Sequence, residues 1–347
     1  MTALRAFAEW TWYRDGVAPA AVRAILSPPA WLFGGIVRAR NARFDAHPVA
    51  AAPIPALSVG NLTVGGTGKT PVSSWFAARL RARGAHPALV LRGYGDDEWR
   101  VHELLTPDVP VRVSPDRLAA LHAARADGHD CAVLDDAFQH RRAPRVSDIV
   151  LVSADRWTGR EDLLPAGPFR EPLDGLARAT AVIVTAKAAS ADRIDAVCAR
   201  LQRVRSRDAA AVAPAVVRLV PEALHDVHAA AGVAPKSLTN LSGARVVVLS
   251  AIADPVAFAA QLRDHGANLV RELRFPDHHA FTAMDVTGVS DVLHGADLVV
   301  CTLKDAVKLA ALWPREATPL WYVSQTVVVD RGAEVLEREC DRVLAAR

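Results

Sequence analysis

The chain has 347 residues, of which 51% are hydrophobic and 23% are charged, and its formal net charge is +3. That length allows two domains with buried cores, and that composition excludes a disordered chain. The small net charge gives no support for binding nucleic acid, so we predict no nucleic-acid partner. The four cysteines lie far apart with no C-x-x-C pair, which excludes the usual zinc spacings and a disulfide framework. A reducing cytoplasm suits this pattern.

The first 45 residues predict an amphipathic helix that rests on a membrane without crossing it. The stretch "SPPAWLFGGIVRARNARF", residues 27–44, offers Ser27 as N-cap with proline at the first helical position. Its longest apolar run, 30–37, is far shorter than the roughly 20 residues that span a bilayer. Arginines but no acids lie between Asp15 and Asp45, which suits an anionic headgroup layer. The alternative is a helix packed on its own domain.

After Pro55 the chain alternates short apolar strands with helix-length segments, as in a parallel sheet covered on both faces. Residues 205–242 are rich in alanine and proline and predict an inter-domain link, after which a second α/β pattern follows. We therefore predict an α/β fold with a P-loop NTPase-like parallel sheet flanked by helices, a second smaller α/β domain and the N-terminal helix. The expected domains are 1–45, 46–214 and 215–347, and the last strand and helix could return to the first of the two α/β domains.

A glycine-rich loop, "GNLTVGGTGKTP" at residues 60–71, stands between a predicted strand and a predicted helix. Gly68, Lys69 and Thr70 fit the end of the Walker A pattern G-x-x-x-x-G-K-[ST], but Thr63 replaces its first glycine. Such a loop holds phosphate through backbone amides at a helix N-terminus. The alternative is a glycine turn without a ligand. The predicted nucleotide-binding residues are Thr63, Val64, Gly65, Gly66, Thr67, Gly68, Lys69 and Thr70.

A candidate magnesium site accompanies this loop. Asp135 ends the apolar run "CAVLD", where a Walker B carboxylate would stand, and Thr70 offers a hydroxyl near the phosphates. A capping aspartate at a strand end is the alternative for Asp135. The chain has no N-K-x-D guanine signature, so ATP is the expected nucleotide and Mg²⁺ the expected metal.

The motifs together resemble the tetraacyldisaccharide 4'-kinases of lipid A biosynthesis, from the N-terminal helix to about Asp330. That family's phosphate loop typically lacks the first Walker glycine, so the resemblance accounts for Thr63. Leu91 and Leu303 depart from the serine and glutamate that the family usually has. The matching stretches are "GNLTVGGTGKTP" at 60–71, "RGYG" at 92–95, "VSPDR" at 113–117, "LDDAFQHRR" at 134–142, "LPAGPFREP" at 164–172, "FPDHHAF" at 275–281 and "KDAVKL" at 304–309.

The resemblance implies transfer of the ATP γ-phosphoryl group to the 4'-hydroxyl of a tetraacyl glucosamine disaccharide 1-phosphate. The substrate is embedded in a membrane, which implies a peripheral protein at the cytoplasmic face of the inner membrane with an anionic membrane surface as partner. No obligate protein partner is inferred. Two alternatives remain: a P-loop kinase of a soluble metabolite, and a non-enzymatic nucleotide-dependent switch at a membrane.

The resemblance also implies roles for single residues. Lys69 contacts the β- and γ-phosphates. Asp97 and His278, which come from different halves of the chain, form a base dyad. Asp96 could take the place of Asp97 in the alignment with the family motif. For Arg117 and Arg170, which are among the other candidates, the alternative is an arginine on the solvated surface. The implied substrate-binding residues are Arg117, Arg170 and Glu171, and the implied supporting residues are Tyr94, Asp136 and Gln139.

Overall fold

The computed structural model describes residues 2–47, 49, 51–93, 98–205, 213–229, 233–252, 254–277, 279–290 and 295–347. The chain divides into two compact units. Unit 1 comprises Met1–Gly93, Leu105–Arg218 and Val329–Arg347, and unit 2 comprises Tyr94–Leu104 and Leu219–Val328.

Helices and strands alternate through most of the described residues. The helices in chain order are α1 (Thr2–Tyr13), α2 (Val17–Ala46), α3 (Lys69–Ala82), α4 (Glu98–Leu105), α5 (Arg117–Ala126), α6 (Ala191–Arg205), α7 (Pro255–Asp264), α8 (Ala283–Ser290), α9 (Leu303–Leu309) and α10 (Ala333–Ala345). The strands are β1 (Ala56–Asn61), β2 (Pro87–Leu91), β3 (Val111–Val113), β4 (Cys131–Asp135), β5 (Ser147–Ser153), β6 (Ala181–Ala186), β7 (Ala215–Asp226), β8 (Lys236–Ser237), β9 (Arg245–Ser250), β10 (Asn268–Arg274), β11 (Leu298–Thr302) and β12 (Leu320–Arg331).

Unit 1 contains a parallel sheet with strand order β6-β5-β1-β4-β2-β3. Every residue of β1, β2, β4, β5 and β6 is buried. Such continuous burial requires helices on both faces, because a parallel strand has no solvated side. Helix α5 packs on β2 and β4, α6 on β6, and α3 and α10 on the central strands. The predicted fold class is confirmed for this unit.

In unit 2, four sheet strands pair in parallel in the order β10-β9-β11-β12. Alternate residues of β9 enter two separate cores. Val247 and Leu249 pack in one core with Trp313, while Val246 and Val248 pack in the other with Phe258. Both faces of this sheet are therefore covered, as a second α/β pattern predicts.

The predicted link at 205–242 is wrong in its local structure. Among its described residues, β7 is a strand of 12 residues, and β8 pairs with it in antiparallel fashion. The start of β7 is buried and pairs in parallel with β6. Alanine and proline on either side of this strand obscured the run "AVVRLV", whose branched residues favour a strand.

Helix α2 is longer than the pattern predicted. It begins at Val17, not at Ser27, and runs through Pro28 and Pro29. Ser27 does not cap it, because its hydroxyl donates to the carbonyl of Arg23 one turn earlier, at 2.9 Å. Proline removes a backbone donor and usually ends a helix, which is why the local rule placed the boundary there.

The outer face of α2 is apolar and exposed. Ile25, Leu32 and Ile36, spaced by seven and four residues, are 74%, 68% and 60% exposed, and Trp31 beside them is 74% exposed. Among the described residues α2 alone is long and apolar enough to cross a bilayer, by length and composition only, and 17% of its apolar window is buried. The opposite face of α2 is buried, so the alternative of a helix packed on its own domain fits one face of α2 and leaves the outer face unexplained.

Candidate functional site

The phosphate-binding loop of unit 1 connects β1 to α3. Gly68 is the N-cap of α3 at φ 83°, a left-handed conformation that favours glycine, and Lys69 and Thr70 form the first turn. Thr67 is buried, and its side chain and carbonyl accept hydrogen bonds from Asn61 at 2.8 Å and from the Thr185 hydroxyl at 2.9 Å. The loop therefore presents the N-terminus of α3 on a braced backbone, which is the geometry of an anion site.

Thr63 explains why the first Walker glycine is dispensable. Its backbone forms an antiparallel bridge with Phe169, and the flanking bonds join Val64 N to Pro168 O at 2.8 Å and Arg170 N to Leu62 O at 2.7 Å. The chain there is extended, and among the described non-glycine residues only Asp136 has a positive φ. A β-branched residue suits extended backbone. The "LPAGPFREP" stretch thus supports the loop directly.

Asp135 ends β4 against the first turns of α3, as predicted. It is 5% exposed, and its Oδ1 accepts hydrogen bonds from the Ser73 hydroxyl at 2.9 Å and from the amide of Asp136 at 3.0 Å. Ser73 lies three residues after Thr70 on the same helix face. A buried carboxylate and a hydroxyl beside a phosphate loop are hard oxygen donors of the type that Mg²⁺ prefers, so these residues fit that ion.

A charge network joins Asp136 to two cations. Lys69 Nζ lies 3.9 Å from Asp136 Oδ1, and Arg170 Nη2 donates to the same oxygen at 3.0 Å. Arg170 Nη2 also donates to the carbonyl and side-chain oxygens of Asn61. Burial raises the pKa of Asp136, but the charges of Lys69 and Arg170 outweigh it, so the pKa of this carboxyl is lowered. Asp136 is therefore ionised at neutral pH and orients both cations.

Arg117 is a buried residue, which excludes the alternative of a solvated arginine. It is 1% exposed, and its Nη2 donates to the carbonyls of Asp135 and Asp136 at 3.1 and 3.0 Å. Burial lowers its pKa, and the charge of Asp136 partly restores it. In this position Arg117 fixes the backbone that carries both aspartates, including Asp136 at φ 48°. Its contact with a substrate stays a prediction.

Glu171 is fully buried and has internal partners for both oxygens. Its Oε1 accepts a hydrogen bond from Gln139 at 2.8 Å, and its Oε2 accepts from Arg178 at 2.8 Å and from Asn41 of α2 at 3.2 Å. Gln139 also donates to the carbonyl of Asn61 at 2.8 Å. Glu171 therefore ties helix α2 to the end of β1, while the substrate contact implied for it stays a prediction.

Arg145 holds the segment that follows Asp136. Its guanidinium donates to the Asp148 carboxylate at 3.0 Å and to four backbone carbonyls. Burial raises the pKa of Asp148 to about 6, against the opposing charge of Arg145. Burial, with the charges of Arg117 and Arg145, lowers the pKa of His140 to about 4. His140 is thus neutral at pH 7. The carbonyls are those of Ala137, Phe138, His140 and Ala143.

Four predicted positions lie outside the described residues: Tyr94, Asp96, Asp97 and His278. The base dyad therefore stays a prediction. The neighbouring His279 is described, and its Nε2 lies 3.1 Å from Asp285, a local pairing within unit 2.

Several residues of this site escaped the sequence-based reasoning. Asn61, at the end of β1, joins Thr67 to Arg170, and Ser73 contacts Asp135. Both stand within or beside the glycine motif, so their polar side chains next to a buried strand were an available signal. The contact between Asn41 and Glu171 spans 130 positions and has no local signal.

Comparison with known proteins identifies the family of the chain. The family model "Tetraacyldisaccharide-1-P 4'-kinase" matches residues 22–344. Tetraacyldisaccharide 4'-kinases from Anaeromyxobacter sp. (strain K) and Halorhodospira halophila are 38% and 33% identical to the chain. The alignments cover 97% of this chain and 96% of the first relative, and 93% of each for the second.

The fold agrees with a solved structure. The crystal structure of LpxK from Aquifex aeolicus in complex with ATP superimposes with a TM-score of 0.70 at 24% identity, covering 93% of this chain and 99% of that one. Because a family model and relatives above 30% identity each span nearly the whole sequence, the chain belongs to the tetraacyldisaccharide-1-P 4'-kinase family.

Proposed function

We propose that the chain transfers the γ-phosphoryl group of ATP to the 4'-hydroxyl of a tetraacyl disaccharide 1-phosphate. The observation that carries this proposal is the network in which Asp136 orients Lys69 and Arg170 beside the N-terminus of α3. Phosphoryl transfer depends mainly on positioning and on stabilising charge at the migrating group. A lysine and an arginine held at one edge of a phosphate loop supply that charge. The identity of the acceptor is inferred from family membership.

Each residue has a distinct task in this proposal. The backbone of residues 63–70 receives the phosphates of ATP, and Lys69 follows the β- and γ-phosphates as charge develops. Thr70 and Asp135 would hold Mg²⁺, which supplies further charge neutralisation when it is bound. Arg117 holds the backbone of Asp135 and Asp136 in place. Arg170 adds a second cation at the end of β1.

The acceptor hydroxyl must lose a proton, and we propose that Asp97 and His278 act as a coupled base for this step. A positioned base of this kind typically contributes ~10²–10⁴-fold to the rate. The single variants Asp97→Ala and His278→Ala should each lower kcat while ATP affinity changes little. The double variant should lose much less than the product of both losses, since a pair acts as one unit. Fully multiplicative losses would exclude the dyad, and Asp96→Ala controls for the register.

The protein is proposed to work as a peripheral protein on the cytoplasmic face of the inner membrane. The apolar outer face of α2 suits an acyl-chain boundary, and Arg38, Arg40 and Arg43 suit anionic headgroups. The C-terminal part of the helix is tied to unit 1, since Arg141 donates to Asp45 at 2.6 Å and Asn41 donates to Glu171. These ties favour a helix that lies on the membrane over one that crosses it.

An acceptor panel tests the proposal against its alternatives. The purified protein is incubated with ATP and Mg²⁺ together with the lipid disaccharide, with soluble sugars, or with no acceptor, and ADP formation is followed. We expect ADP formation to depend on the lipid disaccharide. ADP formation that depends on a soluble acceptor would favour a metabolite kinase, and slow acceptor-independent hydrolysis would favour a switch.

A further inference from the structure

Arg156 lies between helix α1 and the phosphate loop. Its Nη2 donates to the Glu9 carboxylate at 2.6 Å, and its guanidinium lies 4.1 Å from the centroid of the Tyr13 ring. A Cβ built on Gly65 would lie 3.4 Å from Nε and 3.6 Å from Cζ, so the guanidinium lies close to this glycine. One side chain therefore contacts the N-terminal helix and lies beside the loop that is proposed to bind ATP.

The charge of Arg156 is permanent. Burial lowers the pKa of its guanidinium, but Tyr13 and Glu9 raise it, and their effect is the larger one. The side chain is 15% exposed, and its Nε is buried without an acceptor among the described residues. A guanidinium is planar and stacks well on an aromatic ring, so Tyr13 and Glu9 together fix its orientation.

Helix α1 presents different faces to Arg156 and to solvent. Glu9 and Tyr13, four residues apart, contact Arg156. Leu4, Phe7 and Trp10, spaced by three residues, are 76%, 48% and 37% exposed. The helix therefore connects an apolar outer face to the cation at the phosphate loop within two turns.

The phosphate loop makes a turn at Gly65 that depends on glycine. Gly65 has φ 113°, a conformation that side chains rarely adopt. Arg156 and Thr63 of the same loop also line a small cavity of about 20 Å³, together with Arg160 and Phe169 among others. Because glycine has the widest backbone freedom of any residue, a fixed guanidinium close to Gly65 restricts the conformations that the loop can adopt.

We propose that Arg156 is a positioning residue that couples the seating of α1 on a membrane to the affinity of the phosphate loop for ATP. When α1 binds the membrane, Glu9 and Tyr13 are held in place and in turn orient Arg156. Arg156 then holds the Gly65 turn in the conformation that binds phosphate. Preorganisation of this kind raises affinity by lowering the ordering cost of binding. The inference rests on the proposed function, because it takes ATP as the ligand of the loop.

Thermodynamic reciprocity gives the proposal a sharp test. If membrane seating raises the affinity for ATP by some factor, ATP must raise the affinity for the membrane by the same factor. The full-length protein is titrated with a non-hydrolysable ATP analogue and Mg²⁺, with and without phosphatidylglycerol–phosphatidylethanolamine vesicles. Vesicle co-sedimentation is then measured with and without the analogue. We expect both measurements to show an increase of about threefold or more and to agree with each other.

The variants separate positioning from simple anchoring. Arg156→Met should raise the Kd for the analogue about tenfold, raise the KM for ATP with kcat within about twofold, and abolish the response to vesicles. Glu9→Gln should weaken the response, and Arg156→Lys should restore it only in part. Arg160→Met is the matched control, since Arg160 holds the same helical segment by binding Asp15 at 2.7 Å and the carbonyl of Trp12 at 3.0 Å, whereas the three atoms nearest to a Cβ at Gly65 all belong to Arg156. It should keep the wild-type affinity and response.

Four outcomes would overturn the inference. Wild-type affinity in Arg156→Met, or the same loss in Arg160→Met, would show that Arg156 only anchors the helix. No change of affinity in either wild-type titration would exclude coupling between membrane binding and ATP binding. A wild-type protein that binds no analogue under any condition would overturn the proposed function and this inference with it, whereas the other three outcomes leave the proposed function intact.

Discussion

Arginines occur at both the phosphate-loop site and the N-terminal helices, but they have different roles in the two regions. At the loop, Lys69 and Arg170 face a shared carboxylate, and the charges are arranged to receive an anion. In the N-terminal helices, arginines from the body hold the inner face by pairing with acids such as Glu9 and Asp45, and the outer face is apolar. Under the proposed function the first region binds phosphate and the outer face of the second binds a membrane, so substitutions should affect phosphoryl transfer in the first and membrane binding on that outer face.

The largest effect is expected at Lys69. Lys69→Ala removes the cation that follows the migrating phosphoryl group, so kcat should fall by at least ~100-fold, or roughly 2.7 kcal/mol of transition-state stabilisation. Steady-state transfer to the lipid acceptor measures this. Lys236→Ala, which removes a surface cation over the Trp321 ring, is the control and should change kcat less than about twofold. Near-normal turnover of Lys69→Ala would contradict a kinase loop.

The outer face of α2 should affect membrane binding alone. A triple variant of Ile25, Leu32 and Ile36 to serine removes exposed apolar surface and keeps the contacts of Asn41 and Asp45 with unit 1. Vesicle affinity should fall by about 100-fold or more, because each of the three side chains contributes about 1 kcal/mol or more and every 1.4 kcal/mol is tenfold. High salt should further weaken what remains. Unchanged co-sedimentation of a folded triple variant would leave this face without a membrane role.

Glu171 distinguishes structural support from substrate contact. Glu171→Gln leaves Arg178 without its anionic partner in a buried position, so we expect the protein to lose about 2 kcal/mol of stability. Thermal unfolding measures the loss, which should lower Tm by several degrees. If Tm is unchanged and only the KM for the lipid acceptor rises, the side chain contacts substrate and the internal contacts are unimportant.

A smaller effect is expected when Arg170 is replaced by another cation. Arg170 donates to Asp136 and Asn61 through a planar fork that lysine cannot reproduce. Arg170→Lys should therefore lower kcat/KM by about tenfold. The control is Arg200→Lys, because Arg200 makes a two-bond pair with Glu161 outside this network. Full activity in Arg170→Lys would show that only the positive charge of Arg170 matters.

The smallest expected effect is a pH dependence of stability in the segment after β4. Burial raises the pKa of Asp148 to about 6, so the native state holds a proton that the unfolded state releases, and stability falls as pH rises from about 4 to 6. The pKa of His140 is lowered to about 4, so it contributes the opposite slope and stability falls as pH drops from about 6.5. Asp148→Asn and His140→Gln should change the slope of Tm against pH in opposite directions. If both variants show the same dependence of Tm on pH as the wild type, neither group titrates as inferred.

Local patterns predicted the loop and the strand end that form the candidate site. Glycines before Lys69, and an aspartate at the end of a buried strand, are local signals, and the structure places both as predicted. The long-range partners were not predictable from such patterns. Arg117 meets the backbone of Asp135 eighteen residues later, and Glu171 meets Asn41 across 130 positions.

The start of α2 was mispredicted for a related reason. A serine followed by two prolines is a strong local signal for a helix start, but the residues before Ser27 continue the same helix. Arg156 was missed because a single arginine after a strand has no sequence signature. Its significance appears only when Glu9, Tyr13 and Gly65 are seen around it.

The most direct test of the central claim is to identify the product. The wild-type protein is incubated with ATP, Mg²⁺ and the tetraacyl disaccharide 1-phosphate on vesicles, and the lipid is analysed by mass spectrometry and by phosphorus-31 NMR. We expect a lipid that is heavier by one phosphate group, with the new phosphate at the 4' position, and at most a trace of this product from Lys69→Ala. An unmodified lipid, or a phosphate at another position while ATP is consumed, would contradict it.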